Sequence, residues 1–128
     1  MSYNQQIMIV DDEPDLLRMV EIYLKTWKFD VKSFNSPFEA LEFFKKNPLL
    51  FSLVLTDVKM PGMTGIDLAG QMLKIKPDLK IMLMTAYQID SLDLKTTLPV
   101  VQYEDILRKP FRLKEICEGV KKQLEIAH

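Results

Sequence analysis

The stretch Leu53-Val54-Leu55-Thr56-Asp57-Val58-Lys59-Met60-Pro61-Gly62-Met63-Thr64-Gly65 constrains this chain more than any other. An apolar, β-branched run stops abruptly at one carboxylate. A Pro-Gly breaker follows, then Gly65 and a helical pattern. A run this short, bounded by Pro and Gly, reads as a buried strand rather than a helix. Asp57 then stands at the carboxyl end of a central strand, the edge where open α/β sheets gather their ligand chemistry.

Three further runs end the same way. Ile7-Met8-Ile9-Val10 stops at Asp11-Asp12-Glu13, Ile81-Met82-Leu83-Met84 at Thr85-Ala86, and Asp105-Ile106-Leu107-Arg108 at Lys109-Pro110. Helical patterns lie between them. Pro14 suits the first turn of a helix, where its missing N–H costs nothing, and the neighbouring acids favour the helix dipole. Leu16, Leu17, Val20 and Leu24 continue that helix to about Trp27. Phe29 to Phe34 alternates like an edge strand. Ser36-Pro37 opens a second helix whose stripe is Ala40, Leu41 and Phe44, and Asn47-Pro48 stops it. A third helix runs from Gly65 to Ile75 with Leu68, Ala69 and Met72 inward. The last helix carries Leu113, Ile116, Cys117, Val120 and Leu124 on one face. A further helix is expected between Thr85 and Asp105. Helix propensity there is low, with Ser91, paired threonines, β-branched residues and Pro99.

Strands alternating with helices imply a parallel sheet with right-handed crossovers and helices on both faces, a doubly wound α/β fold. A chain of 128 residues is the size of one domain, taken here as residues 1–128. With 17 Lys+Arg against 18 Asp+Glu, the charge is too even for a nucleic-acid surface or a polybasic membrane patch. The single cysteine, Cys117, excludes an internal disulfide, and its spacing reads as a buried, inert thiol. Met1 to Gln6 has no signal-peptide pattern and no run is long enough to span a bilayer. A cytoplasmic protein is expected.

A parallel sheet brings Asp11, Asp12, Asp57, Thr85 and Lys109 to one edge. Packed carboxylates repel, and a divalent cation removes that cost. All-oxygen ligands favour magnesium or calcium, and a site with few protein ligands and room for water and phosphate oxygens suits magnesium. Lys109 supplies a point charge for an anion, Thr85 a hydroxyl, and Ala86 an approachable backbone N–H. An aspartate nucleophile, a metal, a lysine and these donors make a phosphoryl-transfer site.

These motifs, in this order and over essentially the whole chain, resemble the receiver domain of two-component response regulators. The resemblance rests on Asp11-Asp12-Glu13-Pro14, on Asp57 within Asp57-Val58-Lys59-Met60-Pro61-Gly62-Met63-Thr64-Gly65, on Thr85-Ala86 and on Lys109-Pro110-Phe111. It implies a five-stranded parallel sheet of flavodoxin-like order 2-1-3-4-5. It implies that Asp57 is the phosphoacceptor and that Mg2+ contacts Asp12, Asp57 and the backbone carbonyl of Lys59 directly, with Asp11 acting through water. It makes Lys109 the phosphoryl-binding lysine and Thr85 the switch hydroxyl, with the Ala86 N–H beside it. It also implies a cis bond between Lys109 and Pro110, which aims the lysine inward.

Three departures stand out. The switch aromatic is replaced by Ile106, with Tyr103 three residues further back. The usual Gly-Ala pair before the fifth strand is missing and Pro99 is present. Lys59 and Tyr87, two residues after Asp57 and Thr85, are both large.

The resemblance implies a phosphorylatable signalling module, not a multiple-turnover enzyme. Its partners are a sensor histidine kinase or a histidine phosphotransfer protein, an unnamed downstream target, and a second copy if phosphorylation drives a homodimer. Phosphorylation is expected to act on the face formed by strands four and five and the last helix, by a route other than the missing aromatic. No output domain is expected within the chain, which suits a stand-alone regulator or an excised receiver. Two other readings compete. A dehalogenase-type magnesium phosphatase also uses an aspartyl phosphate, but it needs an aspartate where Lys59 stands. A phosphorylation-independent binding module on the same fold draws support only from Ile106 and the irregular segment before it.

Overall fold

The computed structural model describes residues 6–86 and 106–126. The helix expected between Thr85 and Asp105 lies outside them, together with Tyr87, Pro99 and Tyr103. The parallel sheet has the order β2-β1-β3-β4-β5, as the doubly wound reading requires. Its strands are β1 (Gln6–Val10), β2 (Val31–Phe34), β3 (Phe51–Asp57), β4 (Lys80–Thr85) and β5 (Ile106–Arg108). The helices are α1 (Pro14–Thr26), α2 (Pro37–Lys46), α3 (Gly65–Ile75) and α4 (Leu113–Ile126), with a short 3-10 turn at Pro48–Leu50. Among the described residues, no helix is long and apolar enough to cross a membrane.

Each start signal works as its chemistry dictates. Pro14 and Pro37 open α1 and α2. The Ser36 hydroxyl accepts from the Glu39 N–H at 3.4 Å and the Thr64 hydroxyl from the Asp67 N–H at 3.1 Å, capping α2 and α3. Side chains alternate across the sheet with a period of two. Met8, Val10, Val54, Ile81 and Leu83 pack with Ala40, Phe44, Leu68 and Met72 of α2 and α3. Ile7, Ile9, Leu53, Leu55, Met82 and Met84 pack with Leu17, Val20 and Leu24 of α1 and Ile116 and Val120 of α4. Cys117 is buried, free and pushed up in pKa by that burial, as an inert thiol should be.

The strands start or stop within a residue or two of the sequence reading, and the largest difference is at the second strand. The second strand begins at Val31 rather than Phe29. The Trp27, Lys28 and Phe29 N–H groups donate to the Leu24 and Lys25 carbonyls, and Lys28 adopts a φ of 71°. The helix end therefore uses the backbone that a longer strand would need. The third strand ends at Asp57, which still pairs with Met84 of β4.

Candidate functional site

Register sets the site. Val10 pairs with Thr56, Asp57 with Met84, and Thr85 with Arg108. The residues that follow or end these pairs, Asp11, Asp57, Thr85 and Lys109, therefore share one edge of the sheet. The Lys109 N–H donates to the Thr85 carbonyl at 2.8 Å, which stitches the ends of β4 and β5 together. The bond between Lys109 and Pro110 is cis, as the resemblance implied.

Three carboxylates surround one ammonium. Lys109 Nζ lies 3.1 Å from Asp11 Oδ2, 3.2 Å from Glu13 Oε1 and 3.4 Å from Asp57 Oδ2. Burial is uneven. Asp11 is sealed from solvent and Asp57 nearly so, whereas Glu13 is 64% exposed along its side chain. The other oxygen of Asp11 accepts the Glu13 N–H at 2.9 Å, which turns the chain from β1 toward α1.

Burial and like charge govern ionisation here. The Asp57 carboxyl is raised to about 6, chiefly by burial and then by Asp11 and Asp12, with Lys109 opposing them. Burial also raises Asp11, against the Glu13 N–H and Lys109. Burial alone would lower Lys109, but Asp11, Asp57 and Glu13 outweigh it and hold the ammonium above its ordinary value. The cluster carries more negative charge than its one lysine cancels.

Asp11, Asp12 and Asp57 each offer a carboxylate oxygen, and these oxygens lie within 4.8 Å of one another. This all-oxygen donor set fits a hard divalent cation. Asp12 is the exposed member of this group, and Lys59 is exposed as well. Thr85 is buried and Ala86 exposed beside it.

The backbone around Asp57 is held closely. The Thr56 hydroxyl donates to the Asp57 carbonyl at 3.0 Å, the Val58 N–H to the Met84 carbonyl at 2.9 Å, and the Gly65 N–H to the Val58 carbonyl at 2.7 Å. A Cβ at Gly65 would stand 2.0 Å from the Asp57 carbonyl oxygen, so only glycine lets α3 begin there. Gly62, at a φ of +84°, turns the intervening loop. Met60 is buried and anchors that loop in the core.

The sequence reading named every group on this edge except Glu13 as a partner of Lys109. The two are 96 positions apart, and no local period signals the pairing. An acid next to the Asp11-Asp12 pair was the one available clue. Ile106, which replaces the expected aromatic, is partly buried and packs against the core on the α2–α3 face.

Residues 7–121 match the family model described as the response regulator receiver domain. The chain belongs to that family. This receiver is similar over nearly its whole length to the response regulator receiver protein CpdR of Brucella abortus. The two are 33% identical over 120 residues, which cover 94% of this chain and 97% of that protein. It is 34% identical over 122 residues to the response regulator protein PilR of Pseudomonas aeruginosa, covering 95% of this chain but 26% of PilR. Among solved structures, the response regulator protein TrrA of Thermotoga maritima, in complex with Mg2+ and BeF, is 32% identical. The similarity covers 93% of this receiver and 98% of TrrA, with a TM-score of 0.73. The non-phosphorylated HemR receiver domain of Leptospira biflexa is 27% identical, with a TM-score of 0.80.

Proposed function

We propose that this receiver takes a phosphoryl group from a phosphohistidine onto Asp57. The observation that carries the reading is the contact set of Lys109, whose ammonium lies 3.4 Å from the one carboxylate that ends β3. A carboxylate oxygen of Asp57 attacks phosphorus, the P–N bond breaks, and the leaving imidazole takes up a proton. Lys109 then offers its N–H donors to the transferred oxygens, and the Thr85 hydroxyl and Ala86 N–H offer theirs. The acyl phosphate adds charge and acceptor oxygens where Asp57 had one carboxylate.

Asp12, Asp57 and the Lys59 carbonyl would hold Mg2+ directly, with Asp11 reaching it through water. Bound there, the ion neutralises phosphoryl charge and relieves the repulsion that raises Asp57. The TrrA complex with Mg2+ and BeF supports magnesium as the metal. The donor is a sensor histidine kinase or a histidine phosphotransfer protein in the cytoplasm. The domain assists its own phosphorylation and hydrolysis and does not turn over like an enzyme. Because Ile106 has no ring or hydroxyl and a stiff β-branched χ1, Thr85 acts on the face near β4 and β5 without a switch aromatic. Lys59, where a dehalogenase-type phosphatase needs an aspartate, stands against that alternative.

The test is a small phosphodonor with magnesium, read by intact mass. We expect one phosphoryl group per wild-type chain and none on Asp57→Asn. Modification of Asp57→Asn at the wild-type rate would sink the assignment.

A further inference from the structure

Glu13 occupies the N-cap position of α1, yet its side chain makes no capping hydrogen bond. A short side chain such as aspartate or serine at that position turns back onto the first-turn N–H groups, whereas the longer glutamate is left to bond elsewhere. Here the carboxylate reaches across the fold to Lys109 Nζ at 3.2 Å. It does so although Asp11 already pairs with the same ammonium at 3.1 Å and Asp57 at 3.4 Å. A lysine ammonium has three donors; two of them go to Asp11 and Glu13, and Asp57 stands at ion-pair distance. Glu13 differs from the other two in two ways. It is largely exposed, and it is not one of the three carboxylates grouped closely enough to share a metal ion.

We propose that Glu13 is a resting-state latch on Lys109, a positioning residue that sets how readily the lysine is given up to a phosphoryl group. The inference rests on the phosphoacceptor reading above. With a cation in the acidic cluster, Asp11 and Asp57 are compensated by the metal. Glu13 then remains as the uncompensated anion beside Lys109. An incoming phosphoryl oxygen must either displace it from the ammonium or share the ammonium with it. Both cost binding energy, the first through a lost ion pair and the second through repulsion between anions. Glu13 thus holds the inactive arrangement and lowers the affinity of the active one, as linkage requires of any contact stronger in one state than in the other.

The sign of the effect separates a latch from a structural prop. Beryllofluoride, a mimic of the transferred group, is titrated at saturating magnesium by calorimetry on wild type, Glu13→Gln and Asp57→Asn. Magnesium alone is titrated in parallel. Glu13→Gln should bind beryllofluoride about threefold to fivefold more tightly, the size of a partly exposed ion pair, with the gain shrinking as salt screens the charge. Magnesium alone should bind Glu13→Gln no more tightly than wild type, because a negative charge has been removed. Unchanged or weaker beryllofluoride binding by Glu13→Gln would overturn the latch. If wild type binds no beryllofluoride, or Asp57→Asn binds it as well as wild type does, the phosphoacceptor reading itself fails.

Discussion

Leu55 and Asp57 lie two residues apart on β3, and the strand treats them oppositely. Leu55 is fully buried among Ile9, Leu17 and Met84, where burial is the source of stability. Asp57 is almost as buried, but burial there raises its pKa and works against the charged form. The same contrast runs along the other strands that reach the site. β1 and β4 are apolar on both faces through their middles, and their carboxyl ends bury Asp11 and Thr85. The sheet thus stores stability in its middle and spends some of it at one edge, and substitutions should separate the two regions by sign.

The largest effect is expected in the middle. Leu55→Ala should lower unfolding free energy by about 2–5 kcal/mol, the usual cost of a truncated core leucine. Urea denaturation measures it, and a loss under 1 kcal/mol would mean that the site-bearing strand is not the structural centre.

Asp57→Asn should act in the other direction in metal-free protein. The Asp57 carboxyl is raised from 3.8 to about 6 in the fold. Its contribution to stability is therefore fully present below pH 3.8 and is lost as pH rises through about 6. At about 1.4 kcal/mol per pKa unit, the variant should gain up to roughly 3 kcal/mol over wild type at pH 8 and almost nothing at pH 3.5. Denaturation across that range, with and without magnesium, is the measurement. Magnesium should close the gap by stabilising wild type. A variant less stable than wild type at pH 8 without metal would break the contrast.

The smallest effect is expected at the junction of the two regions. Thr64→Ala removes the cap whose hydroxyl accepts the Asp67 N–H at 3.1 Å. It should cost about 1 kcal/mol and leave the pH dependence of stability as it is in wild type. A changed pH profile would show that the α3 cap and the acidic edge are coupled.

This division also explains what the sequence disclosed. Leu53 to Asp57 was legible because a change from apolar to charged along a short strand is a local signal. Gly65 to Ile75 was legible because Thr64, Gly65 and the Leu68, Ala69 and Met72 stripe sit close together in the chain. Phe29 was misplaced in the second strand because a left-handed Lys28 is not visible in a hydropathy pattern. The reach of Glu13 to Lys109 was invisible for a different reason. It depends on the register of strands far apart in the chain, and no window of sequence contains both residues.

Gly65 has one more consequence. Its bare Cα lets the start of α3 rest on the Asp57 carbonyl, while Thr56 holds the carbonyl and Met84 the N–H of the same Asp57–Val58 peptide. The floor of the site is therefore clamped, and its freedom is confined to side-chain torsions above that floor. A disturbance that begins on the Asp57 carboxylate finds no compliant path down β3 or into α3. Among the described residues, the ammonium of Lys109 is what meets that carboxylate from another strand end, so a disturbance there is felt first sideways along the sheet edge.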